Sequence, residues 1–178
     1  HARALEDPDL GLSTAERGKL VHSVLARLWQ TLHDQAGLLA LGSQALEDAV
    51  AAAIETELAG LRRGASGVRA RLLDVEARWL HERLRELLDA EHVRRPFTVI
   101  EREADRRVAL GALALSIKLD RVDRLEDGSL AIIDYKTGRD ATAGSWLGER
   151  PRQPQLPLYL QAVGAERVAA LAYGRLRT

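Results

Sequence analysis

The hydrophobic pattern changes period once, at Pro96, and this change narrows the possible folds more than any other feature of the chain. Before Pro96 apolar residues recur every three or four positions, as on one face of a helix; after it they alternate, as along a half-buried strand. Ser13 or Thr14 can cap a first helix, with Glu16 or Arg17 in its first turn. Leu20, Val21, Val24, Leu25, Leu28, Trp29 and Leu32 then form a broad apolar stripe. Gly37 and Gly42 interrupt the pattern, and Ser43 and Glu47 open a second, Ala-rich helix running to about Gly60. After a basic, Gly-containing connection over 61–67, a third helix sets Leu72, Val75, Trp79, Leu80, Leu84, Leu87 and Leu88 on its apolar side. It must end before Pro96, because the residue ahead of a proline disfavours helical geometry.

Beyond Pro96, residues 97–110 alternate loosely, and Leu113, Leu115, Ile117 and Leu119 alternate cleanly. Leu130 to Lys136 reads as another strand, with Glu126-Asp127-Gly128 as a three-residue loop whose Gly takes the left-handed position. A loop over 139–151, a helix from about Gln153 to Val163 and a strand from Val168 to Leu176 follow. The expectation is an α+β fold: a mixed sheet flanked by helices, in one domain over 1–178, with 1–95 mainly helical and 96–178 carrying the sheet and any site. A chain of 178 residues fits one such core. It has no methionine and stops inside an apparent strand, so it reads as a piece of a larger polypeptide.

With 26 basic and 26 acidic residues the chain has no overall field to draw it onto nucleic acid, so any such contact must come from local charge. Residues 43–60 carry acids without bases, and the next stretch carries Arg62, Arg63, Arg69 and Arg71 without acids. These arginines fit phosphate contacts and a solvated helix end equally well. The absence of cysteine excludes disulfides, thiolate zinc sites and a cysteine nucleophile. No apolar run is long enough to cross a bilayer, and no signal peptide opens the sequence, so no membrane role is expected. Of the basic residues 23 are Arg and three are Lys (Lys19, Lys118 and Lys136), which makes each lysine conspicuous.

The strand Leu130-Ala131-Ile132-Ile133-Asp134-Tyr135-Lys136 is the most informative segment. Alternation puts Asp134 and Lys136 on the face of Leu130 and Ile132. Burying either charge alone is costly, and a lone ion pair seldom offsets that cost. The three-residue loop fixes a register in which Asp120 lies directly across from Asp134. Facing carboxylates repel unless a cation lies between them, and Mg²⁺ or Mn²⁺ suits oxygen ligands with water and phosphate. Lys136, as a point charge, could hold a water or stabilise a phosphate. A surface hairpin in which Asp120, Asp123 and Asp134 pair with Arg121, Arg124 and Lys118 accounts for the same residues.

Four motifs resemble one family. Asp120-Arg121-Val122-Asp123-Arg124 followed by Ile132-Ile133-Asp134-Tyr135-Lys136-Thr137-Gly138 is similar to the core of the PD-(D/E)xK nucleases, and within them to RecB/AddB-type nuclease domains. Gly18 to His22 resembles their G-x-x-x-H motif, and Gln155 to Tyr159 their Q-x-x-x-Y motif. The stretch from Trp146 to Pro151 resembles a bacterial subgroup of DNA-repair proteins. The resemblance implies a restriction-endonuclease-like fold in which His22, Asp120, Asp134 and the backbone carbonyl of Tyr135 bind the metal. It makes Lys136 the catalytic lysine beside Asp120 and Asp134, and sets Gln155 and Tyr159 at the border of the site against DNA. A glutamate in the preceding strand recurs in the family, and Glu103 is the better candidate over Glu101. Relatives often carry Gly two or three residues before the first Asp, where this chain has Ile117 and Lys118. Iron–sulfur variants use cysteines, so no such cluster is expected here.

The activity this resemblance implies is Mg²⁺- or Mn²⁺-dependent hydrolysis of DNA, as an exonuclease rather than an endonuclease. The implied substrates are DNA ends or single strands fed by a helicase or helicase-like partner in double-strand-break repair and recombination. The implied location is the bacterial cytoplasm, at the nucleoid. The alternative is a DNA-binding module with a nuclease fold that no longer cuts. A third reading, hydrolysis of a smaller phosphate ester, predicts an enclosed pocket.

Overall fold

The computed structural model describes residues 11–110, 113–137, 158–160, 163–164 and 167–176. Helices α1 (Thr14–Leu32), α2 (Gln35–Ala40), α3 (Ser43–Arg62) and α4 (Gly67–His92) precede strands β1 (Phe97–Leu110), β2 (Leu113–Leu125), β3 (Leu130–Lys136) and β4 (Val168–Arg175). The helical half and the sheet therefore meet at Pro96, where the period changes, and the fold is α+β.

A reciprocal cap starts α1. Ser13 Oγ accepts the Glu16 N–H at 3.2 Å, and the Glu16 carboxylate accepts the Ser13 N–H at 2.9 Å. The whole apolar stripe of α1 is buried, and with α3 and α4 it forms the main core around Trp29. Two expectations need correction. The glycine-marked gap contains α2, whose first turn is capped by Asp34 accepting the Gly37 N–H at 2.7 Å. A Cβ on Gly37 would lie 2.1 Å from the Leu32 carbonyl oxygen, so this glycine permits a close backbone approach inside a helix. On α4, Val75 is 50% exposed, and Leu73 and Glu76 are buried instead. Glu76 is tolerated there because the Arg17 guanidinium pairs with it, Nε at 2.9 Å from Oε2.

The sheet has the order β1-β2-β3-β4, with β1, β2 and β3 antiparallel and β4 parallel to β3. A parallel neighbour requires a crossover, and the described residues 158–160 within it are helical. The β2–β3 hairpin closes as its sequence indicates: Gly128 has φ +82°, and Leu125 donates to the Ser129 carbonyl at 2.8 Å. Ile133 and Tyr135 face the main core, whereas Leu130 and Ile132 join Leu119, Val122 and Tyr159 in a second apolar cluster. The sheet thus has apolar layers on both faces, and the candidate site lies where their alternation fails.

Candidate active site

The register expected from the hairpin loop is present from Arg124↔Leu130 to Arg121↔Ile133. There the ladder stops. Continuing it would give the Tyr135 N–H to the β2 main chain, but the Asp120 side chain takes it instead, with Oδ2 accepting at 2.7 Å. Leu119 and Val122, three positions apart, both pack in the second cluster, so two-residue alternation is interrupted at Asp120 and Arg121. The interruption puts a buried carboxylate where β2 and β3 part.

Three elements converge on Asp120. His22 of α1 places Nδ1 3.2 Å from Asp120 Oδ1 and 3.2 Å from Glu103 Oε1, and its Nε2 3.1 Å from the Tyr135 carbonyl. Burial alone would lower the His22 pKa, but the Asp120 and Glu103 carboxylates and the Tyr135 carbonyl outweigh it, and the net shift is upward. With acceptors on both ring nitrogens, the imidazole is best satisfied as the doubly protonated cation. Glu103 sits on β1 with φ +48°, in the left-handed region that a non-glycine residue rarely adopts.

Asp134 lies beside them on β3 with a side chain only 2% exposed; its Oδ2 is 2.8 Å from Lys136 Nζ. That oxygen is buried without a well-aligned hydrogen bond. Burial raises the Asp134 pKa, the Asp120 charge raises it further, and Lys136 opposes both. The expected repulsion between the two aspartates is therefore felt at the site. Tyr159 donates its hydroxyl to the Lys118 carbonyl at 2.8 Å and lies 3.5 Å from Asp134 Oδ1. Its pKa is raised, first by burial and then by Asp134 and Asp120. Lys118 reaches Glu103 Oε2 at 2.6 Å. His22, Lys118, Asp120, Asp134, Lys136 and Tyr159 line one pocket of about 490 Å³, together with Ser116 and apolar side chains.

Of the residues singled out in sequence, His22, Asp120, Asp134, Lys136 and Tyr159 thus line this pocket, and the Tyr135 carbonyl and Glu103 adjoin it through His22. Gln155 and Trp146 lie outside the described residues. The donor set suits a hard divalent ion. One ligand atom each from His22, Glu103 and Asp120 lie within 4.8 Å of one another, and Asp134 adds a buried carboxylate oxygen with lone pairs to spare.

The surface-hairpin reading needs correction: one of its aspartates, Asp123, does pair with Arg121, but both are buried in the core. Arg121 is fully buried and clasps Asp123 through Nε–Oδ1 at 2.6 Å and Nη2–Oδ2 at 2.8 Å. It also reaches both oxygens of Glu91 on α4 at 3.2 Å and the Tyr135 hydroxyl at 3.1 Å, and lies over the Trp29 ring at 3.9 Å. Arg94 bonds Glu91 and Asp123 as well, so two arginines and two carboxylates balance. Sequence reasoning missed this cluster. A signal was present in Arg121 and Asp123, two apart on a strand that has to bury both faces.

No curated protein matches the sequence. The family model of the PD-(D/E)XK nuclease superfamily matches residues 1–177, nearly the full length, and its nucleases depend on divalent metals. With carboxylates and a lysine gathered at the end of the β2–β3 ladder, and that match along the sequence, the chain belongs to the PD-(D/E)XK nuclease superfamily.

Proposed function

We propose that the protein hydrolyses DNA phosphodiesters as a RecB/AddB-type nuclease. Its residues His22, Glu103, Asp120, Asp134 and the Tyr135 carbonyl would hold Mg²⁺ or Mn²⁺. The observation that carries this reading is the convergence of Asp120, Asp134, the His22 imidazole and Lys136 at one pocket, with Glu103 against His22 and a buried Asp134 oxygen that has no well-aligned hydrogen bond. The bound ion would supply a water of lowered pKa and neutralise charge on the scissile phosphate.

The side chains have separable tasks. His22 gives up a proton to serve as a ligand, and the Tyr135 carbonyl 3.1 Å away fixes its ring. Asp120 is held by the Tyr135 N–H, so its second oxygen points toward His22. Lys136 beside Asp134 orients the attacking water or meets the charge that develops on the phosphate. Tyr159 steadies the wall of the pocket through the Lys118 carbonyl, and the likeness of the Q-x-x-x-Y motif supports a DNA contact for Gln155. The RecB/AddB likeness of the motifs supports exonuclease action on DNA ends or single strands in double-strand-break repair, with a helicase or helicase-like partner in the bacterial cytoplasm.

Digestion of linear DNA with Mg²⁺ or Mn²⁺ tests the reading. Wild-type protein should degrade it, and Asp134→Ala and Lys136→Ala should each lose at least about a hundredfold in rate, the order of a positioned acid–base or electrostatic group. Equal inertness of all three, with DNA binding unchanged, would make the protein a binding module instead.

A further inference from the structure

A second hollow, of about 470 Å³, adjoins the candidate active site and shares Lys118 with it. It lies between the outer face of α1, which contributes Ser23, Arg27 and Gln30, and the bent part of β1, which contributes Arg102 and Glu103. Ordinary strand alternation would send Arg102 and Glu103 to opposite faces. The left-handed φ of Glu103 accompanies their meeting in one hollow.

The charges are unequally satisfied. Arg27 is paired with Glu57 at 2.6 Å and Lys118 with Glu103 at 2.6 Å. Arg102 has no ion-pair or hydrogen-bond partner among the described residues, which leaves a surplus cation beside the hydroxyl of Ser23 and the amide of Gln30. Lys118 adds to this. Its carbonyl is fixed by Tyr159, but its side chain is 53% exposed, and the contact with Glu103 Oε2 uses one of the three N–H donors of its ammonium.

We propose that this hollow is a second phosphate subsite, in which Arg102 and Lys118 bind a phosphodiester of single-stranded DNA flanking the one held at Asp134 and Lys136. The proposal rests on the nuclease reading for the direction of the strand, but not for binding itself. Arg102 and Lys118 are positioning residues: they touch the strand away from the bond that breaks.

The test measures fluorescence anisotropy of a labelled single-stranded oligonucleotide against salt, in EDTA, so that no cutting is needed. Loss of one phosphate contact should lower the slope of log K against log[salt] by about 0.7, or roughly fivefold in affinity near 0.1 M salt. Arg102→Gln and Lys118→Gln should each show that loss, Lys118→Arg should restore it, and Arg78→Gln on the exposed face of α4 should leave the slope unchanged. In the metal-loaded digestion assay, Arg102→Gln should act mainly on KM and little on kcat. Unchanged slopes for both Gln variants would overturn the subsite. Failure of the wild type to cut, with these slopes still reduced, would overturn the nuclease reading and keep the subsite.

Discussion

Arg121 shows how a buried charge shapes this protein. Taking a guanidinium fully out of water is costly, and here two carboxylates, a phenol and an indole face surround it. Those contacts outweigh burial and hold Arg121 firmly protonated. Truncation to Ala would strand Glu91 and Asp123 with only Arg94 between them. Arg121→Ala should therefore lower stability by about 3–5 kcal/mol in urea unfolding, the usual cost of breaking a buried ion pair. An Arg124→Ala control on the same strand should stay within about 0.5 kcal/mol, as surface changes do. At the pocket, Tyr159→Phe removes the hydroxyl bonded to the Lys118 carbonyl at 2.8 Å. Losing that bond leaves a carbonyl acceptor short of a partner, at about 1–3 kcal/mol. The variant should stay folded by circular dichroism, with digestion slowed and substrate binding less affected.

The helices matter to the site because α1 delivers His22. The cap of α1 is electrostatic in part: the Ser13 N–H and hydroxyl hold the Glu16 carboxyl below its ordinary pKa. A carboxyl lowered on folding contributes stability that is present above its unfolded pKa and lost as pH falls through the folded one. Wild-type stability should accordingly fall more steeply below about pH 4.5 than that of Glu16→Gln, as thermal unfolding across pH 3–7 will show. The far end of α4 is tied down by Gln35, whose side-chain amide donates to the carbonyls of Glu91, His92 and Arg94 at 3.0, 3.3 and 2.6 Å. A short helix thus caps a long one. Gln35→Ala should cost about 1–3 kcal/mol, because buried carbonyls would lose their donor, and denaturant titration would register it.

Across the whole molecule, the parts that were legible from sequence rest on periodicity and loop chemistry. The α1 stripe, the break at Pro96 and the Glu126–Gly128 turn each follow from local rules. The hairpin register then followed from the turn and brought Asp120 next to β3. What escaped sequence reading depends on long-range partners. The pairing of Glu76 with Arg17, the Glu91–Arg121–Asp123–Arg94 cluster and the Lys118–Glu103 contact join residues that no local pattern connects. The alternation failure at Asp120 was hidden for the same reason, since the His22 imidazole and the Tyr135 N–H that meet it come from other elements. Equal total charge also conceals the gathering of acids at the pocket, which is visible only once α1, β1, β2 and β3 meet. The account as a whole turns on those acids sharing a divalent ion with His22. A crystal soaked in Mn²⁺ measures it most directly. Anomalous density within ligand distance of His22, Glu103, Asp120 and Asp134 is the result expected, and density confined to other sites, or absent from this pocket at saturating Mn²⁺, would contradict it.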